Sequence, residues 1–267
     1  MAKGISLHIG LNAVDPKQYE GWSGDLVACE FDAKDMEALA EAQGFTDRTI
    51  LLTKQATAQA VLDHIDAAAK ELVAGDIFFI TNSSHGGQVP DKNGDEDDKM
   101  DETWVMYDRM IVDDELYARW AKFKKGVRIV VLSDSCHSGS VIKFVPDFIS
   151  GKRSKAMPLE ANKRTYLAHK KKYDKIQKGL KTKAKVKVVA SAILISGCLD
   201  SQTSLDGDKN GLFTENLKKV WNNGKFKGNY KKFHTQIVAK MPADQTPNLF
   251  KTGARSAKFE AQKPFTI

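Results

Sequence analysis

An open, mostly parallel α/β sheet flanked by helices on both faces is the fold class this sequence predicts. Apolar, β-branched runs alternate along the chain with segments of helical periodicity. The central runs are continuously apolar, as parallel strands covered on both faces are. Two of them, Asp76–Thr81 and Val127–Leu132, stop abruptly at small polar residues.

The elements follow in order. A strand is predicted at Ile5–Gly10, a helix at Glu30–Gln43 and a strand at Thr49–Leu52. The next helix, Thr57–Val73, is marked by Ala60, Val61, His64, Ile65, Ala68 and Leu72 at helical spacing. After the strand Asp76–Thr81, the acids Asp113-Asp114 open a helix that runs to Phe123, since a helix N-terminus favours negative charge. Strands at Val127–Leu132 and Val188–Ser196 lead to helices at Asn210–Asn222 and Tyr230–Met241, and a weaker strand pattern lies near Asn248–Phe250. A chain of 267 residues without internal repeats predicts a single domain spanning 1–267. Gly151–Lys187 carries only an interrupted helical pattern (Leu159, Tyr166, Leu167, Tyr173, Ile176) and reads as a basic, mobile insertion between two core strands.

Charge sharpens that picture. The segment Gly151–Lys187 holds fourteen Lys/Arg against Glu160 and Asp174, a local balance of +12. Taking this from the net +7 leaves −5 for the rest. Between Asp91 and Glu115 lie eleven acids and three bases. One basic insertion and one acidic segment are not the uniform basic surface of a nucleic-acid binder. No run approaches the roughly 18 apolar residues of a membrane span. The N-terminus lacks the apolar region of a signal peptide, and three cysteines (Cys29, Cys136, Cys198) make a poor disulfide framework. The expectation is a cytoplasmic protein with no membrane partner and free thiols.

Chemistry concentrates at two strand ends. The first strand runs into Asn82-Ser83-Ser84-His85-Gly86-Gly87, the second into Ser133-Asp134-Ser135-Cys136-His137-Ser138-Gly139. In open α/β sheets the active site lies beyond the carboxyl ends of the strands. A thiol and an imidazole there are the minimum for a cysteine nucleophile: Cys136 to attack and His85 to move protons. The backbone N–H of Gly86, with that of Cys136, would face a developing oxyanion. Taken alone, Cys29 and Cys198 fit structural roles better, and His137 is a poor base because adjacent side chains at a strand end diverge.

These motifs resemble those of caspase-like cysteine peptidases, within them the type I metacaspases and bacterial orthocaspases. The matching stretches are Ile9-Gly10-Leu11-Asn12, Cys29-Glu30-Phe31-Asp32-Ala33, Ser83-Ser84-His85-Gly86-Gly87-Gln88, Asp101 with Asp108, Asp113-Asp114-Glu115 and Asp134-Ser135-Cys136-His137-Ser138-Gly139. Ser196-Gly197-Cys198, Asn210-Gly211-Leu212-Phe213-Thr214 and Gln245-Thr246-Pro247 follow in the expected order. The resemblance implies a caspase-like fold and a Cys136–His85 dyad. It also implies a monomer that cleaves basic polypeptides after Arg or Lys. An S1 pocket of Cys29, Asp32, Ser83 and Asp134 suits this, because two carboxylates in a partly desolvated site attract a guanidinium or ammonium and repel a P1 carboxylate.

The same resemblance implies Ca²⁺ as an activating ion, with Asp101, Asp113 and Asp114 as its ligands. Hard oxygen donors at this density suit that ion. Two departures stand out. Lys143 occupies a place where the family often has another acid, and Ser84 stands where glycine usually precedes the histidine. The run Asp206–Gly211 looks like the start of an EF-hand loop, but its twelfth position is Leu217, so it reads as a turn. Cleavage after Lys or Arg would make the fourteen bases of 151–187 candidate self-processing sites. Two other classes stay open: an inactive caspase-like scaffold used for partner binding, and a nucleic-acid or anionic-surface binder acting through 151–187.

Overall fold

The computed structural model describes residues 2–135, 153–199, 202 and 204–267. Strand β1 (Gly4–Gly10) leads through α1 (Cys29–Ala42), β2 (Asp47–Leu52) and α2 (Ala58–Glu71) to β3 (Ile77–Ser83). Three further strands, β4 (Gly86–Pro90), β5 (Met100–Val105) and β6 (Met110–Val112), precede α3 (Asp113–Trp120) and β7 (Arg128–Asp134). Then come α4 (Leu159–Ala168), α5 (Lys170–Lys178), β8 (Ser191–Ser196), α6 (Leu212–Trp221), α7 (Tyr230–Val238), β9 (Asn248–Gly253) and α8 (Ala257–Ala261).

The main sheet has the order β2-β1-β3-β7-β8-β9. All its neighbours pair in parallel except β8 and β9. All seven residues of β3 are buried, which is why that run reads as continuously apolar. Alternation still operates within it. Phe78 and Ile80 face one layer with Ile129 and Val131, under Val61, Ile65 and Trp120 of α2 and α3. Ile77 and Phe79 face the other with Val130 and Ile193, under Met36 of α1, Leu217 of α6 and Phe233 of α7. Two helical layers on one sheet give the predicted class. Its strand-end registers matter most here: Gly10 pairs with Ser83, and Ser83 with Asp134, in one line across β1, β3 and β7.

Thr57 caps α2 by accepting from the Ala60 N–H at 3.2 Å. Glu115 in the first turn of α3 accepts from the Val112 N–H at 3.1 Å and pairs with Arg109. Among the described residues no helix is long and apolar enough to cross a membrane.

Two features exceed the sequence reading. Strands β4, β5 and β6 form a separate antiparallel sheet, in a stretch where glycines and acids mask the strand period. Where the sequence suggests a mobile insertion, residues 153–187 carry α4 and α5. Tyr166 and Tyr173 pack there with Met157, Val89 and Val105, joining these helices to the small sheet. Asn162 fixes the contact by donating to the Gln88 carbonyl at 2.5 Å.

Candidate active site

His85 sits between the end of β3 and the start of β4. Its neighbour Ser84 is fully buried, accepts from the Asn82 amide at 3.0 Å and donates to the His85 carbonyl at 3.0 Å. The serine therefore braces the histidine's backbone where glycine would leave it free. The imidazole is buried, packed edge-on against Trp22 with ring centroids 4.8 Å apart. Its Nε2 lies 3.2 Å from the Gly24 carbonyl. A carbonyl can only accept, so Nε2 carries the hydrogen and Nδ1, which has no partner among the described residues, is left with its lone pair. Burial pushes the imidazole down to about 4, against the opposing pull of the Gly24 carbonyl. At neutral pH it is an uncharged base.

The predicted S1 residues converge. Asp32 projects from the first turn of α1, Ser83 ends β3 and Asp134 ends β7. Ser83 donates to Asp32 at 2.8 Å. The Cys29 thiol lies beside them and is held protonated by burial. Between the two carboxylates sits the ammonium of Lys155, which is 0% exposed. It lies 2.9 Å from Asp134 Oδ2, 3.1 Å from Asp32 Oδ2 and 2.9 Å from Ser83 Oγ. Three acceptors match its three N–H bonds. Burial alone pulls this ammonium down, but Asp134 and Asp32 outweigh that and hold it well above the usual lysine value. Burial likewise raises the Asp32 carboxyl, with Lys155 pulling the other way.

Further groups complete the pocket. Asp32 accepts from Asn210 at 2.9 Å and from the Gly211 N–H at 3.0 Å. Asp134 accepts from the Ser204 hydroxyl and from Thr214 at 3.2 Å. Gly211 is obligatory: a Cβ there would lie 2.3 Å from Asp134 Oδ2 and 2.4 Å from the Lys155 ammonium. Lys155, Asn210, Gly211, Ser204 and Thr214 are the site residues that sequence reasoning did not assign to this pocket. Cys136 and Lys143 lie outside the described residues; β7 delivers the chain as far as the buried Ser135.

The backbone around Lys155 runs extended through the cleft. Its N–H donates to the Ser204 carbonyl at 2.9 Å, and its carbonyl accepts from the Gly86 N–H at 2.9 Å. The Met157 N–H returns to the Gly86 carbonyl at 2.7 Å, and the Asp206 N–H donates to the Arg153 carbonyl at 2.7 Å. Ser154 bridges antiparallel to Leu205, and Ala156 parallel to Gly86.

The acidic segment forms a second cluster. Asp101 on β5 and Asp113 and Asp114 at the start of α3 bring carboxylate oxygens within 4.8 Å of one another, and Asp91, Asp95, Glu96 and Glu102 extend the group. Asp101 is fully buried and neither of its oxygens has a hydrogen-bond partner among the described residues. Burial and the neighbouring acids push it up to about 8, and Asp114 up to about 7. An unpartnered buried carboxylate among hard oxygen donors fits a Ca²⁺-type ion. A cation from the chain already stands beside it: the Lys183 ammonium is 2.6 Å from Asp113 and also pairs with Glu96. Asp108 does not join the cluster. It accepts from the Ala58 N–H at 2.7 Å and caps α2.

Comparison with known proteins places this geometry. The caspase domain family model matches residues 13–259. Metacaspase-1A of Neurospora crassa is 38% identical over 151 residues, covering 51% of this chain and 32% of that protein. Metacaspase-1 of Emericella nidulans is 35% identical over 151 residues, covering 51% and 36%. The chain thus spans about a third of the length of these curated relatives. A crystal structure of a Geobacter sulfurreducens protein is 53% identical with a TM-score of 0.91, covering 99% of this chain and 98% of that one. Caspase-1 of Spodoptera frugiperda, 10% identical, has a TM-score of 0.56 over 94% of this chain and 88% of that one, and shares the fold.

Proposed function

We propose that this chain, which belongs to the caspase-domain family, is a metacaspase-like cysteine endopeptidase that cuts after Arg or Lys. The observation that carries the specificity is the buried ammonium between Asp32 and Asp134. A pocket lined this way accommodates a basic P1 side chain; a P1 Asp would add a third carboxylate to two that are already buried.

His85 Nδ1 takes the proton of the Cys136 thiol, and the thiolate bonds to the P1 carbonyl carbon. The carbonyl oxygen becomes an oxyanion on the Gly86 N–H, whose present partner is a peptide carbonyl. The imidazolium then protonates the departing amine as the C–N bond breaks. Water hydrolyses the thioester and restores the thiol. Substrates are basic polypeptides, and the chain processes itself within its basic stretch. Fluorogenic peptides differing only at P1 test the specificity. Arg and Lys should be turned over, Asp should not, and the Cys136→Ala protein should be inert; faster release from P1 Asp would overturn it.

Ca²⁺ would be held by Asp101, Asp113 and Asp114 and would supply the positive charge that Asp101 lacks. The Lys183 ammonium stands against this ion by like-charge repulsion. In calorimetric titration, Lys183→Gln should bind Ca²⁺ about tenfold more tightly than the parent chain. Asp101 and Asp114, raised to about 8 and about 7, must shed protons to bind, so affinity should fall as pH drops from 8 to 6. Equal affinities for the two proteins, or no pH dependence, would remove Lys183 and these acids from the site.

A further inference from the structure

We propose that Gln245 is a positioning residue for P1 recognition: through the Ser204 hydroxyl it orients the Asp134 carboxylate so that one oxygen of that acid is left to a basic P1 side chain. The inference rests on the Arg/Lys reading above, and it is carried by a chain of hydrogen bonds behind the pocket. Gln245 belongs to neither wall of the cleft. It lies in the turn between α7 and β9 and is 0% exposed. Each polar atom of its amide is engaged. Oε1 accepts from the Leu205 N–H at 3.2 Å, and Nε2 donates to the Gly197 carbonyl at 3.0 Å and to Ser204 Oγ at 2.9 Å. A backbone N–H only donates and a carbonyl only accepts, so these partners fix which end of the amide is which.

The direction of the next bond follows. Ser204 Oγ receives a hydrogen from Gln245, and a hydroxyl has only one hydrogen of its own to give. That hydrogen goes to Asp134 Oδ1. With Oδ1 so engaged, Oδ2 is the oxygen that meets the ammonium, at 2.9 Å. The relay needs close approach. Gly197 follows β8 directly, and its N–H donates to the Ser133 carbonyl at 2.8 Å. A Cβ on it would lie 2.9 Å from Ser204 Oγ and 3.0 Å from Asp134 Oδ1, against both ends of the bond between them. A second glutamine ties the same two loops together in the opposite sense. Gln202 accepts from the Thr246 N–H at 2.6 Å and donates to the Ala243 carbonyl at 3.2 Å. A carboxylate backed by a locked hydroxyl keeps its orientation when one cation replaces another in the pocket.

Steady-state kinetics with matched P1 Arg and P1 Gln peptides test the relay. The quantity to read is the Arg-over-Gln ratio of kcat/KM, which cancels whatever the seated Lys155 costs both peptides alike. Ser204→Ala should lower this ratio about tenfold, the worth of a hydrogen bond to a charged group, and Gln245→Met about fivefold. Both losses should appear in KM for the Arg peptide, with kcat changed by less than about twofold, because neither substitution alters His85. In the Ser204→Ala background Gln245→Met should move the ratio by less than about twofold, since the two residues act in series. A glutamine that only supports its loops would slow both peptides alike. A ratio that stays within about twofold of the parent in Gln245→Met therefore overturns this inference and leaves the specificity reading standing. Should Gln245→Met fail to fold, Gln245→Glu keeps an acceptor for Leu205 but gives Ser204 no N–H, and it should lower the ratio in the same way. A parent chain with no Arg-over-Gln preference sinks the specificity reading, and thermal unfolding then decides the relay alone. The Tm shifts of Gln245→Met and Lys155→Met should depart from additivity by about 2 °C or more if Asp134 couples them; additive shifts sink the relay as well.

Discussion

Asp134→Asn should reduce kcat/KM for a P1 Arg peptide by roughly two to three orders of magnitude. The carboxylate is buried and, among the described residues, takes three donors: the ammonium in the pocket, the Ser204 hydroxyl and the Thr214 hydroxyl. An asparagine amide keeps the shape but turns one end into a donor, so at least one of those groups meets another donor. Breaking a buried ion pair by removing one partner costs about 3–5 kcal/mol, and each 1.4 kcal/mol is a factor of ten. Asp32→Asn should act in the same direction, since Asp32 also accepts from Ser83, Asn210 and Gly211. The double variant should lose less than the product of the two, because both carboxylates serve one cation. Kinetics with matched P1 Arg and P1 Gln peptides check this. A single variant that keeps its Arg-over-Gln ratio within threefold would show that the pocket lies elsewhere.

The acids of that pocket are legible in the sequence because each stands at a fixed offset from a strand end or a helix start. Asp134 follows a continuous apolar run, and Asp32 opens an apolar helix. The lysine between them is not legible. It is one base among fourteen in a low-periodicity stretch, and it meets Asp32 across a separation of 123 residues. Backbone pairing with Gly86 and Ser204, together with the docking of the helices that follow on the small sheet, brings it there. That sheet is itself hard to read, since β4 begins Gly86-Gly87 and β5 includes Asp101-Glu102. The acids show the same limit. Asp101 and Asp108 look equivalent along the chain, yet one faces the acidic cluster and the other caps α2. The helices and parallel strands of the core are legible because burial on both faces writes itself into composition.

His85→Ala should lower kcat by about 10²–10⁴-fold, the usual worth of a positioned proton-transfer group, with little change in KM. Among the described residues the imidazole is held by the Gly24 carbonyl and Trp22 and makes no hydrogen bond to Asp32 or Asp134, the carboxylates proposed to bind P1, so its loss should fall on the chemical step. Its pH dependence is the sharper test. His85 must be neutral to accept the thiol proton, so activity is lost as pH falls through its pKa. Burial against Trp22 holds that value at about 4 instead of 6.5. The histidine should therefore leave kcat/KM undiminished between pH 7 and 5. Trp22→Ala opens one wall of the ring to water, which stabilises the imidazolium and lifts the pKa toward the ordinary value. The variant's acid limb should move upward by a pH unit or more while the P1 Arg preference is unchanged, because Trp22 lies on the histidine side of the cleft. An acid limb near 6.5 in both proteins would mean that His85 is already solvated in the working enzyme, and that Trp22 does not set its protonation.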